Sequence, residues 1–247
     1  MKLPLIFAAV VATSVSAKAA TLLSFDFESN NFAYYYGYIY QEFGSGTVNN
    51  NGNNPTAGAG QGGTAGARTT FNMTNVSGGY AGLGMGFGGN PANATRIAGA
   101  ASLADFAFTI GLRADGLTGS SVGVGLELKF EVPDNYFLPA DGNTDADTLL
   151  VLSLNRTLTT TYQTFTTTLA DWTITSGSLA QLKSNLGALN NINMNIGYGS
   201  GGNVPEFGND ANNVLAADNY TLSVVPEAGT ATLGLLAIGG LLARRRR

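Results

Sequence analysis

The chain has 247 residues, of which 34 are Gly and only 11% are charged, a composition that suits turns and pleated sheets better than helices rich in Glu, Lys and Leu. Neither Cys nor His occurs, which excludes disulfides, thiolate nucleophiles, imidazole bases and the usual zinc ligands. Residues 20–224 carry 6 basic and 15 acidic side chains, a net charge of −9, and this disfavours nucleic-acid binding, which requires clustered cations.

The first 19 residues have the pattern of an export signal. Lys2 precedes an apolar run over 3–15, and Ala17-Lys18-Ala19 forms a small-x-small cleavage pattern. The pattern predicts export and removal of residues 1–19 by a signal peptidase. A buried N-terminal helix is the alternative interpretation.

The body of the chain alternates apolar and polar residues in the manner of half-buried strands, most clearly over 126–132 and 192–198. About ten strands separated by Gly, Asn and Asp segments predict one all-β domain, an antiparallel two-sheet β-sandwich of the jelly-roll type. The predicted strands cover 21–27, 32–40, 67–73, 80–87, 106–113, 126–132, 148–155, 162–169, 192–198 and 218–224.

Tyrosines crowd one early strand, and aromatic faces are surfaces on which sugar rings pack. Alternation places Tyr35 on one face and four other tyrosines on the opposite face. If that second face points outward, it is a candidate glycan platform; if it points inward, the tyrosines fill the core with their hydroxyls at the rim. The only Trp, Trp172, is open to the same two interpretations. The four tyrosines are Tyr34, Tyr36, Tyr38 and Tyr40.

Two stretches of the chain are rich in glycine. Residues 44–66 hold many Gly and Asn residues and almost no apolar ones, so we predict a long loop whose ordering costs backbone entropy without compensating burial. Residues 82–89 alternate Gly with apolar residues and superficially resemble a phosphate loop, but no Lys-Ser/Thr follows and no βαβ pattern surrounds them. We therefore predict a strand or bulge there.

Two acidic patterns resemble known sites without completing them. Glu127 and Glu131 lie on one face of one strand, about 13 Å apart at roughly 3.3 Å per residue, which is too far for the paired carboxylates of a glycan hydrolase. Residues 141–147 place oxygen side chains at alternate positions as a calcium-binding EF-hand loop does, but Ala146 replaces its Gly and Leu152 its bidentate Glu. An acidic turn between strands is the favoured interpretation.

One short helix is predicted over 178–186. Leu179, Leu182 and Leu186 recur at helical intervals, Ser178 suits the N-cap, and Gly187 suits the C-cap. We expect this helix to cross one end of the sandwich.

The two ends of the β-rich body carry a family resemblance. Residues 25–28, Phe-Asp-Phe-Glu, and residues 217–222, Ala-Asp-Asn-Tyr-Thr-Leu, resemble the first and last strands of carbohydrate-binding-module-like jelly rolls. Within that resemblance, Glu28 and Asp218 match positions that often supply carboxylates to a structural Ca²⁺ where the terminal strands meet. Ca²⁺ takes six to eight oxygen ligands, so a carboxylate pair with backbone carbonyls could begin its shell. Ordinary turn or strand-end carboxylates are the alternative.

The C-terminus has three parts. Val225-Pro226-Glu227 precedes an uncharged run over 228–243, and the chain ends in Arg244, Arg245, Arg246 and Arg247. A helix over the uncharged run would span about 24 Å, less than a hydrocarbon core of about 30 Å. Because four arginines resist translocation, they should stay cytoplasmic and leave the domain on the far side of the membrane.

This tripartite order resembles the PEP-CTERM sorting signal, which exosortase-type transpeptidases recognise in Gram-negative bacteria that make exopolysaccharide. The resemblance covers residues 225–247, and Ala228 stands where the family usually has a second Pro. It implies that the C-terminal helix holds the protein in the membrane until an exosortase-like enzyme removes it. A permanent tail anchor is the alternative.

Together these patterns predict a signal peptide over 1–19, a β-sandwich domain over 20–224 and a sorting signal over 225–247. We expect an exported, non-catalytic protein of the cell surface or extracellular matrix that contacts polysaccharide, with structural Ca²⁺ as its candidate cofactor. Two alternatives stay open: a secreted glycan-active enzyme that pairs carboxylates from different strands, and a self-assembling structural subunit.

Overall fold

The computed structural model describes residues 19–28, 34–40, 47–50, 55–72, 80–88, 91–115, 121–132, 147–198 and 213–225. Three predicted features fall largely outside these ranges. They are the export signal apart from Ala19, the acidic turn over 141–147 apart from Asp147, and the sorting signal apart from Val225. Neither helix in the described ranges has the length and hydrophobicity that a membrane span requires.

Strands dominate the described ranges. They are β1 (Ala20–Phe25), β2 (Tyr34–Tyr40), β3 (Thr47–Asn50), β4 (Ala67–Asn72), β5 (Tyr80–Gly88), β6 (Phe106–Asp115), β7 (Val122–Val132), β8 (Asp147–Leu158), β9 (Gln163–Thr168), β10 (Thr173–Gly177), β11 (Asn191–Tyr198) and β12 (Asn213–Val224). Two α-helices also occur in these ranges, α1 (Pro91–Ala98) and α2 (Leu179–Ser184), with single 3-10 turns at Gln61–Gly63, Leu103–Asp105 and Leu169–Asp171.

The strands form two six-stranded antiparallel sheets. The first sheet has the order β3-β4-β12-β6-β9, and β1 pairs with the C-terminal half of β12. The second sheet has the order β10-β8-β7-β11-β5-β2. This arrangement confirms the predicted two-sheet jelly-roll sandwich.

The core lies between the two sheets, where alternate residues of strands such as β4, β6 and β7 point inward. On β7, Leu126, Leu128 and Phe130 are fully buried, and the Phe130 ring meets the Phe106 ring of the first sheet edge-on at 6.5 Å. Burial of apolar surface contributes roughly 25 cal/mol per Å². The alternation recognised in the sequence therefore marks the inner faces of both sheets.

Trp172 belongs to this core. Its side chain is only 5% exposed, and its ring packs edge-on against Phe108 at 5.0 Å. Phe108 in turn meets Tyr220 at 5.4 Å, so an aromatic row crosses the inner face of the first sheet. The interpretation of Trp172 as part of a glycan platform is therefore wrong, because a buried indole offers no face to a sugar.

The structure also adds elements that alternation did not reveal. The strands β3 and β10 and the helix α1 were not predicted, and β3 lies within the predicted loop 44–66. All five residues of β10 are exposed, so its sequence carries no buried face. The helix α2 begins as predicted, with the Ser178 hydroxyl accepting from the Gln181 N–H at 3.1 Å, but it ends at Ser184.

Candidate functional site

The second sheet has one face toward the core and one face outward. On β11, Met194 and Ile196 are fully buried, whereas the alternate residues are partly exposed. Paired residues of an antiparallel ladder lie on the same face of the sheet. The register of β2, β5 and β7 with this strand therefore extends the outward surface, which we call the outer face of the second sheet.

The register places four tyrosine positions of β2 on the outer face. Tyr35 pairs with Met85, which is 1% exposed and points into the core. The neighbouring positions alternate with it, and three of them pair with glycines of β5. The pairs are Tyr34–Gly86, Tyr36–Gly84, Tyr38–Gly82 and Tyr40–Tyr80. The four tyrosine positions therefore share the face of β2 that is opposite to the face of Tyr35.

A strip of glycines lies beside these tyrosine positions. Gly82, Gly84, Gly86 and Gly88 occupy the outer face of β5, so this strand contributes no side chain to that face, and Gly82, Gly84 and Gly86 are buried. Strands in a sheet lie about 4.8 Å apart, so β2 and β11 are separated by roughly 10 Å across the strip. We call this feature the groove.

Asparagines form the other side of the groove. The register pairs Gly88, Gly86 and Gly84 of β5 with Asn191, Asn193 and Asn195 of β11. We call these three asparagines the Asn rail. In the sequence, these asparagines are recognisable only as the polar positions of an alternating strand.

Charged residues of β7 hold two members of the Asn rail. The Asn195 side-chain amide donates to Glu127 Oε1 at 3.1 Å, and the Asn191 amide donates to Glu131 Oε2 at 3.0 Å. Lys129 lies between the two carboxylates in sequence, and its Nζ is 3.0 Å from Glu127 Oε1. The two glutamates are thus engaged separately and do not form a carboxylate pair.

A second polar cluster surrounds the segment 55–66. The carboxylates of Asp218 and Glu28, which lie outside the segment, hold it in place, and we call it the acidic loop for that reason. The loop closes on itself through the bridge between Thr56 and Gly66 and a bond from the Gly60 N–H to the Thr64 carbonyl at 2.8 Å. The Tyr162 hydroxyl donates to the Ala59 carbonyl at 2.7 Å. Burial raises the pKa of Tyr162, so this hydroxyl stays a donor.

Asp218 is the centre of the acidic loop site. Its side chain is fully buried, and Oδ2 accepts from the Gln61 N–H at 2.8 Å and from the Thr64 hydroxyl at 3.1 Å. Oδ1 accepts from the N–H of Asn219 at 2.7 Å. Burial raises the pKa of Asp218, and the nearby charge of Glu28 raises it further, while these hydrogen bonds oppose the shift.

Glu28, which lies near the start of the domain sequence, reaches the same loop. Its Oε1 accepts from the Ala65 N–H at 2.6 Å. The structure therefore brings together the two carboxylates that the sequence nominated for calcium. The loop residues that contact them, Gln61, Thr64 and Ala65, were not identified from the sequence, because the loop carries no apolar pattern.

The oxygen atoms around Gly60 fit the ligand chemistry of Ca²⁺. A Cβ on Gly60 would lie 2.7 Å from Asp218 Oδ2 and still closer to Thr64 Oγ1 and the Ala65 carbonyl oxygen, so three oxygens converge there. Carboxylate, hydroxyl and carbonyl oxygens are the ligands that Ca²⁺ takes. No cluster of three or more Asp, Glu, His or Cys occurs in the described part of the chain, so neutral oxygens would have to complete the shell.

The two ends of the domain lie side by side. Ala20 of β1 pairs with Val224 of β12. Val225, the first residue of the predicted sorting motif, is 40% exposed, and its N–H donates to the Asp105 carbonyl at 2.7 Å. The remaining motif residues, Pro226 and Glu227, and the stop-transfer residues Arg244–Arg247 lie outside the described residues.

Comparison with known proteins finds likeness only among solved structures. No family model matches the sequence, and no curated protein matches it. The family 11 carbohydrate-binding module of the cellulosomal cellulase Lic26A-Cel5E of Clostridium thermocellum is 12% identical, with a TM-score of 0.45, and the match covers 83% of this chain and 94% of that chain.

The CBM22-2 xylan-binding domain of Paenibacillus barcinonensis Xyn10C gives a similar result. It is 11% identical, with a TM-score of 0.43, and the match covers 82% of this chain and 98% of that chain. At such identities and TM-scores, neither likeness assigns a ligand or a binding residue to this chain.

Proposed function

We propose that the protein is a non-catalytic polysaccharide-binding module whose binding surface is the outer face of the second sheet. The observation that carries the proposal is the strand register, which places Tyr34, Tyr36 and Tyr38 along one side of the groove and the Asn rail along the other. Aromatic rings pack on the apolar faces of sugars, and amides bond their hydroxyls. On this proposal, the tyrosines and the Asn rail supply both kinds of contact to one extended glycan chain.

Affinity gel electrophoresis tests this proposal. The residue 20–224 domain is run through gels that contain mixed-linked β-glucan, xylan or galactomannan, and through a gel without polysaccharide. We expect at least one of these glycans to retard the domain and Tyr36→Ala to abolish the retardation. Thr166→Ala is the matched control, because Thr166 is an exposed residue of β9 in the other sheet.

Two outcomes would overturn the proposal. One is equal mobility of the unsubstituted domain in all gels. The other is retardation that Tyr36→Ala leaves unchanged while circular dichroism shows that the variant is folded. Loss of retardation in the Thr166→Ala variant would also count against it, because the binding surface would then not be the outer face of the second sheet.

The acidic loop is proposed to hold a structural Ca²⁺. Glu28 and Asp218 would supply carboxylates, and Thr64 and Ala65 would supply neutral oxygens. The cation would offset the repulsion between the two carboxylates and tie the loop to the terminal strands. Its role would be stability, since the acidic loop packs on the first sheet and the groove lies on the second.

The terminal segments add a proposed route to the cell surface. Export through residues 1–19 and exosortase-like processing at 225–247 would deliver the domain to the surface or extracellular matrix. The exposure of Val225 directly after β12 is compatible with enzyme access. Intact-mass analysis of membrane, surface and medium fractions of the native host tests this route: a membrane-bound form that retains Arg244–Arg247 would contradict it.

A further inference from the structure

One carboxylate oxygen of the second sheet contacts nitrogen atoms of two different side chains. Oε1 of Glu127 lies 3.0 Å from Lys129 Nζ and accepts from the Asn195 side-chain amide at 3.1 Å. Lys129 belongs to β7, and Asn195 belongs to the neighbouring strand β11. The contact therefore brings together an amine, a carboxylate and a carboxamide, the groups that amide formation between two side chains requires.

The strand register places the lysine within reach of this amide. Glu127 pairs directly with Asn195, and Lys129 pairs directly with Asn193, so Lys129 and Asn195 are diagonal neighbours on one face of the sheet. Diagonal neighbours lie about 7–8 Å apart, a span that long side chains cover. The ion pair with Glu127 directs Nζ along β7 toward position 127 and hence toward Asn195.

Water does not reach the Asn195 carbonyl group. Its Oδ1 is closed to solvent and has no hydrogen-bond donor among the described residues, and Gly84, its partner on β5, is buried. Exclusion of water protects the carbonyl carbon from hydrolysis, so an amine already in place has no competitor. Lys129 and Glu127 are 29% and 39% exposed, which gives released ammonia and protons a way out.

We propose that Lys129 and Asn195 react to form an isopeptide bond, with Glu127 as the general base. Glu127 takes a proton from the Lys129 ammonium, which frees the Nζ lone pair to attack Cγ of Asn195. The new bond joins Nζ to Cγ, the bond from Cγ to Nδ2 breaks, and Nδ2 leaves as ammonia with the proton that Glu127 returns. Nζ then loses a second proton to solvent through Glu127, so the carboxylate is regenerated and nothing is oxidised or reduced.

The bond gives a chain without Cys a covalent connection between two strands. It joins β7 to β11 and closes a loop that contains β8, β9, β10 and α2. Closing a long loop restricts the unfolded chain and thereby stabilises the folded one, as a disulfide does. Neither reacting group depends on a bound glycan, so the bond and the proposed function are tested separately.

A second carboxylate–amide pair on the same face serves as an internal control. The Asn191 amide donates to Glu131 Oε2 at 3.0 Å. The Nζ of Lys129, the only lysine of β7 and β11, lies at Glu127. We therefore expect Asn191 to keep its amide, although its contact with a carboxylate resembles that of Asn195.

Trypsin digestion of the purified full chain, followed by mass spectrometry, tests the bond. No Lys or Arg occurs between Ser184 and position 243. We expect a branched peptide that joins residues 114–156, uncut at Lys129, to the peptide beginning at Ser184, with a mass one ammonia below the sum of the two. Cleavage after Lys129 with no branched peptide would overturn the inference, and so would a branch at Asn193 instead of Asn195.

Four substitutions separate the bond from the ion pair. Lys129→Arg keeps the cation but has no amine that can be deprotonated, Glu127→Gln removes the base, and Asn195→Ser removes the amide. We expect each to abolish the branched peptide and the control, Glu131→Gln, to retain it. Lys129→Arg should also lower Tm by about 10 °C relative to Glu131→Gln.

Two outcomes in the variants would contradict the assignment of roles. Full yield of the branched peptide in the Glu127→Gln variant would exclude Glu127 as the base. Loss of the branched peptide in a folded Glu131→Gln variant would mean that the Glu127 site does not act alone. The peptide map of the unsubstituted chain decides whether the bond exists even if a variant fails to fold.

Discussion

Asp218 and Glu28 bond the same short turn from opposite ends of the domain sequence. Asp218 Oδ2 accepts from the Gln61 N–H, and Glu28 Oε1 accepts from the Ala65 N–H. The loop is polar and glycine-rich, so its order depends on these two carboxylates and on Tyr162 rather than on apolar burial. The sequence predicted a loop over 44–66 whose ordering lacks compensating burial, and in the structure these hydrogen bonds hold residues 55–66 instead.

Calcium should stabilise the domain through this pair. At a free Ca²⁺ concentration of 100 times the dissociation constant, linkage contributes about 2.7 kcal/mol, which corresponds to a rise in Tm of about 5–10 °C for a domain of this size. The expected result is such a rise in the unsubstituted domain and less than half of it in the Asp218→Asn variant. The fluorescence of Trp172, the only Trp, reports unfolding.

Asp115→Asn is the control for the calcium experiment. Asp115 belongs to the first sheet, as Asp218 does. Its carboxylate lies 3.8 Å from the Arg113 guanidinium and forms no hydrogen bond to the acidic loop within the described ranges. Its calcium response should match that of the unsubstituted domain. The same Tm with Ca²⁺ and with EDTA in the unsubstituted domain would show that the carboxylates are held by hydrogen bonds alone.

The pH dependence of stability should reflect Asp218 when calcium is absent. Burial raises the pKa of Asp218 above the ordinary aspartate value of 3.8, so the folded state binds a proton more readily than the unfolded state. The stability from this group is therefore fully present below the unfolded pKa and is lost as pH rises through the folded pKa.

Thermal unfolding in EDTA between pH 4 and pH 8 measures this effect. We expect Asp218→Asn to gain stability relative to the unsubstituted domain as pH rises, because the asparagine carries no charge to bury. A difference between the two proteins that does not change with pH would exclude a raised pKa at Asp218. The Asp171→Asn variant should instead lose stability relative to the unsubstituted domain as pH rises. The reason is that hydrogen bonds from Thr167 and Thr168 lower the pKa of Asp171.

Sequence periodicity established that four tyrosines share a face but could not establish which face. The alternate positions on β2 include Tyr35 and Ile39, which are also large and apolar, so neither face has a clear inward preference. The pairing with β5 identifies the face of β2 on which the four tyrosines lie. On β5, Leu83 and Met85 point into the core, and the intervening glycines lie on the opposite face of the sheet. Register between strands is long-range information that a single-strand pattern does not contain.

The acidic loop illustrates the same limit in a different way. The Asp218 carboxylate and the Gln61 N–H are 157 positions apart in sequence, and no local pattern links them. The family resemblance nominated Asp218 and Glu28, but nothing in the sequence pointed to Gln61 or Ala65. Such backbone donors carry no residue-type signal, because every residue except Pro has an N–H group.

Gly60 should be irreplaceable within the acidic loop. A Cβ at this position would lie 2.7 Å from Asp218 Oδ2 and closer still to the Ala65 carbonyl, so Gly60→Ala forces the loop away from the carboxylate. We expect a loss of about 1–3 kcal/mol of stability and loss of the calcium response. Urea unfolding with and without Ca²⁺ measures both.

Gly187→Ala is the matched glycine control. A Cβ on Gly187 would have no neighbour within 4 Å, so the variant should change stability by less than about 0.5 kcal/mol. Equal effects of the two substitutions would mean that the crowding around Gly60 is relieved without cost and that the loop is not held as described.

Substitution of Trp172 should mainly lower the stability of the domain, whereas substitution of Tyr36 should mainly lower its affinity for glycan. Trp172 packs on Phe108 in the core, so Trp172→Ala should cost about 3–5 kcal/mol of stability, while Trp172→Phe should keep the fold and the glycan affinity. Tyr36 lies on an edge strand of the second sheet. Tyr36→Ala should lower glycan affinity at least tenfold and should cost less stability than Trp172→Ala. Circular dichroism melts and affinity gels on the same preparations give both quantities. Reduced glycan affinity in a folded Trp172→Phe variant would place the indole in the binding surface, against its 5% exposure.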